Sequence, residues 1–381
     1  MQKLQLPQPG LEAQVASQEL VSLIKQEISA NSDWISFARY MELALYAPRF
    51  GYYTGGAAKL GQAGDFTTAP EMSPLFGATL ATFAMSVFPQ TTNQIMEFGA
   101  GTGKLAVDLL TELHRHNCPP DRYYIVELSG ELRARQEELL RDFSEVVWLE
   151  NIPATFSGLV LGNEVLDAMP VHLVRKTETG WNEVGVTWQD SGLQWAEKPW
   201  PDLTLLKQIP LAEELPVGYL TELHVTAKGF MRSVAQMLSG EKSGLVLFLD
   251  YGFPASEYYL DQRDQGTLMC HYRHHAHTDP LYWPGLQDIT SHVDFSAMCE
   301  AGQSAGLELL CYTSQAGFLL QMGIGDLLLR TSPTDPMHYL PKANALKKLV
   351  SPAEMGELFK VLIMGVNVSL PEKLLQKNRF L

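Results

Sequence analysis

Apolar positions along the chain keep a helical period at first and then change character. Helices are predicted over 17–29 and 33–46, the second carrying Trp34, Phe37, Met41, Leu45 and Tyr46, with Asp33 or Ser32 as its N-cap and Pro48 as its stop. Residues 73–88 repeat the pattern, with Phe76, Leu80, Phe83, Ala84 and Val87 on one side. From residue 94 short apolar runs alternate with amphipathic segments, which predicts parallel strands over 94–98, 123–128, 145–149 and 158–162, with helices at 103–116 and 130–142. The alternation then breaks. Segments over 171–196, split at Thr179-Gly180 and Ser191-Gly192, predict an antiparallel meander. Residues 197–217 are proline-rich and irregular, and a helix follows at 221–239. The strand 245–250 runs into a long, weakly periodic stretch over 252–290. A helix at 292–304, a strand at 307–312, helices across 315–350 and a strand at 359–366 complete an α/β sheet whose insertions form a smaller lobe.

Polar residues interrupt these runs where an open α/β sheet holds its ligands. The apolar run ending at Glu97-Phe98 passes into Gly99-Ala100-Gly101-Thr102-Gly103, a strand turning tightly into a helix. Glycines there allow positive φ and a close backbone approach to a ligand, and the helix start offers free N–H groups. The Gly-x-Gly-x-Gly spacing differs from the Gly-x-Gly-x-x-Gly of a pyrophosphate cradle. Glu97 would repel a pyrophosphate and suits an amino or sulfonium cation, which counts against a nicotinamide dehydrogenase. Glu127, at the carboxyl end of the second strand, falls where a carboxylate accepts ribose hydroxyls. Beyond the fourth strand, Asn163, Glu164 and Asp167 put an amide and two carboxylates at the ligand crevice, and one turn of helix would set Glu164 and Asp167 on one side. The loop from Gly51 to Glu71, rich in glycine, hydroxyls and aromatics, is a candidate lid.

Composition narrows the partners. The 381 residues are 46% hydrophobic, enough for a sizeable core. Lys+Arg number 28 against 43 Asp+Glu, a net charge of −15 that argues against nucleic-acid binding and is compatible with a basic partner. Cys118, Cys270, Cys299 and Cys311 form no Cys-x-x-Cys pair, so neither a zinc site nor a disulfide framework is expected. His271, His274, His275 and His277 lie in a loop with Arg273, and no metal is predicted there. No apolar run reaches the ~18–20 residues of a membrane span. With no leader pattern at the N-terminus and reduced thiols, the expected location is cytoplasmic.

Glu97-x-Gly99-x-Gly101-x-Gly103, Glu127 and Asn163-Glu164-x-x-Asp167-x-x-Pro170 together resemble the S-adenosylmethionine-dependent methyltransferases, and within them the MidA-like family. Gly51-Tyr52-Tyr53, Gly64-Asp65-Phe66-x-Thr68-x-Pro70-Glu71, Phe76-Gly77, Asp250-Tyr251-Gly252, Asp288-Ile289-Thr290 with Val293-Asp294-Phe295, and Gln315-x-x-Phe318-Leu319 extend the resemblance over nearly the whole chain. It implies a Rossmann-like, seven-stranded class I methyltransferase sheet. In that frame 1–90 holds N-terminal helices and a cofactor lid, 91–170 the cofactor-binding half, 171–244 an inserted meander and helix, and 245–381 the second half of the sheet with its long loop and helical insertion.

The resemblance also implies roles. S-adenosyl-L-methionine would lie with its methionine part along Gly99, Ala100, Gly101 and Gly103, its amino end near Glu97, and its ribose on Glu127 with Leu128 alongside. Asn151 and Ile152 would border the adenine, and Gly64, Asp65, Thr68 and Pro70 would close over it. Asn163, Glu164 and Asp167 would be catalytic. The family includes a mitochondrial protein that methylates an arginine on a complex I subunit, so the expected partner is an arginine-bearing protein such as a respiratory-complex subunit; a homodimer is the further expectation. Arginine methyltransferases proper place two glutamates in such a loop, where this chain has Glu164 and Asp167. A scaffolding factor that has kept the fold and a small-molecule methyltransferase are the alternatives.

Overall fold

The apolar runs of the sequence become the centre of a twisted sheet. The strands along its main path are β1 (Gln94–Phe98), β2 (Arg122–Val126), β3 (Val146–Leu149), β4 (Leu159–Asn163), β5 (Gly244–Phe253), β6 (Glu308–Ser314) and β7 (Phe359–Val366) in the computed structural model, which describes residues 6–55, 68–200, 206–376 and 378–379. The spatial order is β6-β7-β5-β4-β1-β2-β3. Neighbours from β5 to β3 pair in parallel, and β7 runs antiparallel to both β5 and β6. Leu159, Val160 and Leu161 of β4, Leu245 to Leu249 of β5 and Val361 to Met364 of β7 are each at most 1% exposed. Consecutive residues buried alike mean that both sheet faces are covered, which is why these strands read as continuous apolar runs without alternation.

The chain passes from β1 to β2 and β3 on one side and returns through β4 and β5 on the other, so the switch point lies between β1 and β4. Ligands of open α/β sheets bind outside the carboxyl ends of strands at such a point. Helices α1 (Pro74–Val87), α2 (Lys104–Arg115) and α3 (Gly130–Leu139) accompany this half. Gly77 lets α1 and α2 meet closely, since a Cβ there would stand 2.6 Å from that of Asp108. The helix predicted from residue 103 starts at Lys104, because Gly103 has φ 85° and serves as its N-cap. The helix predicted to 142 ends at Leu139.

By its contacts the chain forms two units. One consists of Thr67–Val165, Gly229–Gly252 and Met298–Leu381 and holds the sheet core; the other consists of Met1–Phe66, Leu166–Lys228 and Phe253–Ala297. In the second unit the expected meander is present as His172–Thr177, Gly180–Gln189 and Gly192–Pro199.

Four readings need correction. The first helix is longer than 17–29 and runs Leu11–Ala30. The second starts at Phe37 and not at 33: Ser32 and Asp33 both have φ 58°, Ile35–Ser36 pairs with Val186 and Gly185, and the cap is Ser36, whose Oγ accepts the Arg39 N–H at 3.2 Å. The helix predicted from 221 begins at Val225, because Leu220–Leu223 is drawn into the antiparallel sheet beside His172–Thr177. The stretch 252–290 is not structureless. Met269–Tyr272 pairs with His275–His277 and with Asp288–Thr290, and Arg273 and His274, at φ 46° and 63°, make a two-residue hairpin turn of the kind that needs positive φ at both positions.

Candidate cofactor and active site

β1 delivers an acid into the sheet. Glu97 is 2% exposed, and its Oε2 accepts the phenol of Tyr123 on β2 at 2.7 Å. Burial pushes the Glu97 carboxyl up to about 7, the Tyr123 hydrogen bond works against that rise, and the Glu127 charge adds to it. Past β1 the backbone turns through Gly99, Gly101 and Gly103 at φ 63°, 55° and 85°, a left-handed run that side chains rarely adopt. Ala100 between them is buried. The Thr102 hydroxyl donates to Glu71, tying the turn to the short helix Ala69–Met72.

β2 ends one residue before Glu127. Its Oε1 accepts the Ser129 N–H at 2.9 Å and its Oε2 accepts the Gln136 amide at 3.0 Å. Burial raises the Glu127 carboxyl above its ordinary range, and these donors oppose the rise. Leu128 beside it is 79% exposed.

β4 delivers Asn163, whose Nδ2 donates to Glu164 Oε1 at 3.0 Å. The Asn163 Oδ1 is buried and has no hydrogen-bond partner among the described residues. Glu164 has φ 53°, and its N–H donates to the Leu249 carbonyl at 2.9 Å. Val165 N–H donates to Asp250 Oδ2 at 3.2 Å, and Asp250 Oδ1 accepts the Tyr251 N–H, so the ends of β4 and β5 are knitted together. A Cβ on Gly99 would stand 3.3 Å from Val165 Cγ2, which puts the glycine turn against the loop after β4.

These distances bring Glu97, Gly99, Gly101, Gly103, Glu127, Asn163 and Glu164 to the carboxyl ends of neighbouring strands in one unit. The predicted helical turn from Glu164 to Asp167 does not form, because the left-handed φ at Glu164 turns the chain out of the helical path. The division between units falls at Val165/Leu166, so Asp167 belongs to the other unit; it is 4% exposed there, and its carbonyl accepts the Ser291 N–H at 3.0 Å. In that unit Tyr53 donates to Asp288 Oδ1 at 2.9 Å and stacks on Tyr46. Asn151 is exposed and Ile152 is 37% exposed in the loop after β3. Thr68 precedes the short helix, and Pro70 is buried in it; Gly64 and Asp65 lie outside the described residues.

Sequence reasoning missed Tyr123, Gln136 and Trp148. Gln136 is the only buried residue of α3, and Trp148 Nε1 donates to its Oε1 at 3.0 Å. A lone glutamine among the charged residues of Gly130–Leu139 was the sole available signal.

The residues fit an aminated, cationic nucleoside. A backbone turn of left-handed glycines, a buried acid on one flank, a carboxylate held by donors just past the next strand and an orphaned buried amide oxygen at Asn163 are each features that such a ligand would use. With the strand order of the sheet, they define a class I S-adenosylmethionine-dependent methyltransferase. The model for the Methyltransf_28 family, described as S-adenosyl-L-methionine-dependent methyltransferase, matches residues 76–313, and the chain belongs to that family.

A Burkholderia thailandensis protein solved with S-adenosyl-homocysteine bound is 49% identical and superimposes with a TM-score of 0.94 over 98% of this chain and 99% of its own. Among curated proteins, "Protein arginine methyltransferase NDUFAF7, mitochondrial" of Rattus norvegicus is 30% identical over 85% of this chain and 79% of that protein. Its Homo sapiens counterpart is 29% identical over 91% and 82%. Relatives named as mitochondrial overturn the cytoplasmic location expected from sequence. Free cysteines do not separate one reducing compartment from another. No described helix is long and apolar enough to cross a membrane.

Proposed function

We propose that this methyltransferase acts on an arginine side chain of a partner protein. The observation that carries the reading is the Glu164 carboxylate, fixed by the Asn163 amide at the carboxyl end of β4, one residue before Val165, whose side chain lies against Gly99 of the glycine turn. The names of the curated relatives point the same way. S-adenosylmethionine supplies a methyl group already activated on a sulfonium. The chain must then position a nucleophile and manage a proton. A guanidinium stays protonated to a pKa above about 12, so its nitrogens attack only if its charge is drawn to one side. Glu164 does this by accepting two parallel N–H bonds, leaving the third nitrogen with the greater share of electron density. That nitrogen takes the methyl as the S–CH3 bond breaks and neutral S-adenosylhomocysteine leaves, and it gives up one proton to water, so the methylated guanidinium keeps a single positive charge. Asp167 is the second acid of the same loop in this proposal. A respiratory-complex subunit as acceptor and a homodimer are its finer extensions.

Glu97, Gly99, Ala100, Gly101 and Gly103 would hold the methionine end, Glu127 the ribose with Leu128 alongside, and Asn151 and Ile152 the base. The acceptor is tested by transferring tritiated methyl groups to proteins of a deletion strain and analysing the acid hydrolysate. Methylarginine is expected. Label confined to lysine, to base-labile esters or to small molecules would sink the arginine reading.

Glu97 makes the binding pH-dependent. Because the folded chain raises its pKa from 4.5 to about 7, the ionised form is the penalised one, and this group's contribution to stability falls as pH rises through that window. A cationic amino group binds the ionised form and pulls the pKa back down, so cofactor affinity should rise with pH across the same range. Calorimetry with S-adenosylhomocysteine should show roughly tenfold weaker binding at pH 6 than at pH 8, the factor that one pH unit below the pKa imposes. Glu97→Gln should flatten the dependence; an unchanged slope in that variant would remove Glu97 from the amino end.

A further inference from the structure

Three elements converge on one buried amide. Gln136 on α3 is fully buried, a rare place for a glutamine unless every polar atom is satisfied. Its Oε1 accepts the Trp148 indole N–H at 3.0 Å, and its Nε2 donates to the Gly101 carbonyl at 2.8 Å and to Glu127 Oε2 at 3.0 Å. An indole nitrogen only donates, and a carbonyl and a carboxylate only accept, so the amide has a single orientation that satisfies all three. Trp148 on β3 therefore sets which end of Gln136 faces Glu127. Gly101 belongs to the turn after β1, so the carboxyl ends of β1, β2 and β3 are linked through this side chain.

We infer that Gln136, locked by Trp148 and the Gly101 carbonyl, is a positioning residue that aims the Glu127 carboxylate for a ribose diol. The inference rests on the reading of Glu127 as the ribose partner. Without the amide, Glu127 would keep the backbone N–H groups of Ser129, Leu128 and Gly101 and lose the Gln136 side-chain donor on Oε2. A carboxylate that has lost its side-chain donor is held less firmly, and a ligand must then fix it on binding. Gln136 touches neither the methyl nor the acceptor in this scheme, so its loss should raise the cofactor Kd and leave kcat at saturating cofactor nearly unchanged.

The test is calorimetry with S-adenosylhomocysteine on the full chain as wild type, Gln136→Met, Glu127→Ala and the double variant. Methionine has nearly the shape of glutamine without its donors. Gln136→Met should weaken binding by about tenfold, the loss for one hydrogen bond to a charged group. In the Glu127→Ala background the same change should cost no more than about twofold, because Gln136 acts through Glu127. Trp148→Phe should produce part of the Gln136→Met loss, since the amide can then turn over. Losses that simply add in the double variant, or a Gln136→Met protein that binds as wild type does, would overturn the inference. If Glu127→Ala itself binds normally, the ribose reading falls first and the positioning role falls with it. Adding Trp148→Phe to Gln136→Met removes the indole donor that methionine leaves unpartnered. It should restore thermal stability without restoring affinity; recovery of both would make Gln136 a packing residue only.

Discussion

Glu127→Ala is expected to weaken S-adenosylhomocysteine binding by about a hundredfold or more. A carboxylate that accepts two ribose hydroxyls makes two charged hydrogen bonds, each worth roughly 1.5–3 kcal/mol, or roughly 10²–10⁴ in affinity together. The cost of holding that carboxylate in a half-buried place is met before the ligand arrives, by the Ser129 N–H and the Gln136 amide. Because Glu127 stands just past the end of β2 and its ladder, the alanine variant should keep the fold. Calorimetry measures the loss and circular dichroism checks the fold. A folded variant that binds within threefold of wild type would place the ribose elsewhere.

The centre of the sheet was legible because β4, β5 and β7 are buried on both faces and so appear as unbroken apolar runs. β1 and β7 were read with their observed limits, and β2, β3 and β4 within two residues. The glycine turn and its flanking acids were legible for a different reason: an acid inside an apolar strand and three glycines in alternation conflict with packing, and such conflicts concentrate at sites. What failed was decided by distant contacts. Leu220–Leu223 has helical neighbours in sequence and becomes a strand because His172–Thr177 offers it a sheet edge. The hairpin at Met269–His277 hides among histidines that have no regular period. Gln136 was missed because its one local signal, a lone glutamine among charged residues, does not tell a glutamine that faces water from one that faces Trp148, Gly101 and Glu127. The spacing of Glu164 and Asp167 suggested a helical turn, but the backbone at Glu164 lies in the left-handed region.

That backbone outlier leads to the second large effect. Glu164→Gln should reduce kcat for methyl transfer by roughly a hundredfold to a thousandfold, the range for removing one preorganised electrostatic partner, while the cofactor Kd changes by less than about threefold. Glutamine keeps the size of the side chain and an oxygen for the Asn163 amide but removes the charge that draws the guanidinium to one side. A glutamate at φ 53° is held there at a cost in backbone energy, and the Leu249 carbonyl that accepts its N–H helps to fix the conformation. Glycine adopts the same φ without the steric penalty. Glu164→Gly should therefore unfold at a temperature no lower than Glu164→Gln and be at least as inactive, because local strain is relieved while the carboxylate is lost. Single-turnover kinetics with saturating cofactor gives the rate, and thermal unfolding gives the stability. If Glu164→Gln turns over at the wild-type rate, the acceptor's guanidinium is held by another acid; if Glu164→Gly is clearly less stable than Glu164→Gln, the left-handed turn is supported by the glutamate side chain and is not a strain kept for its chemistry.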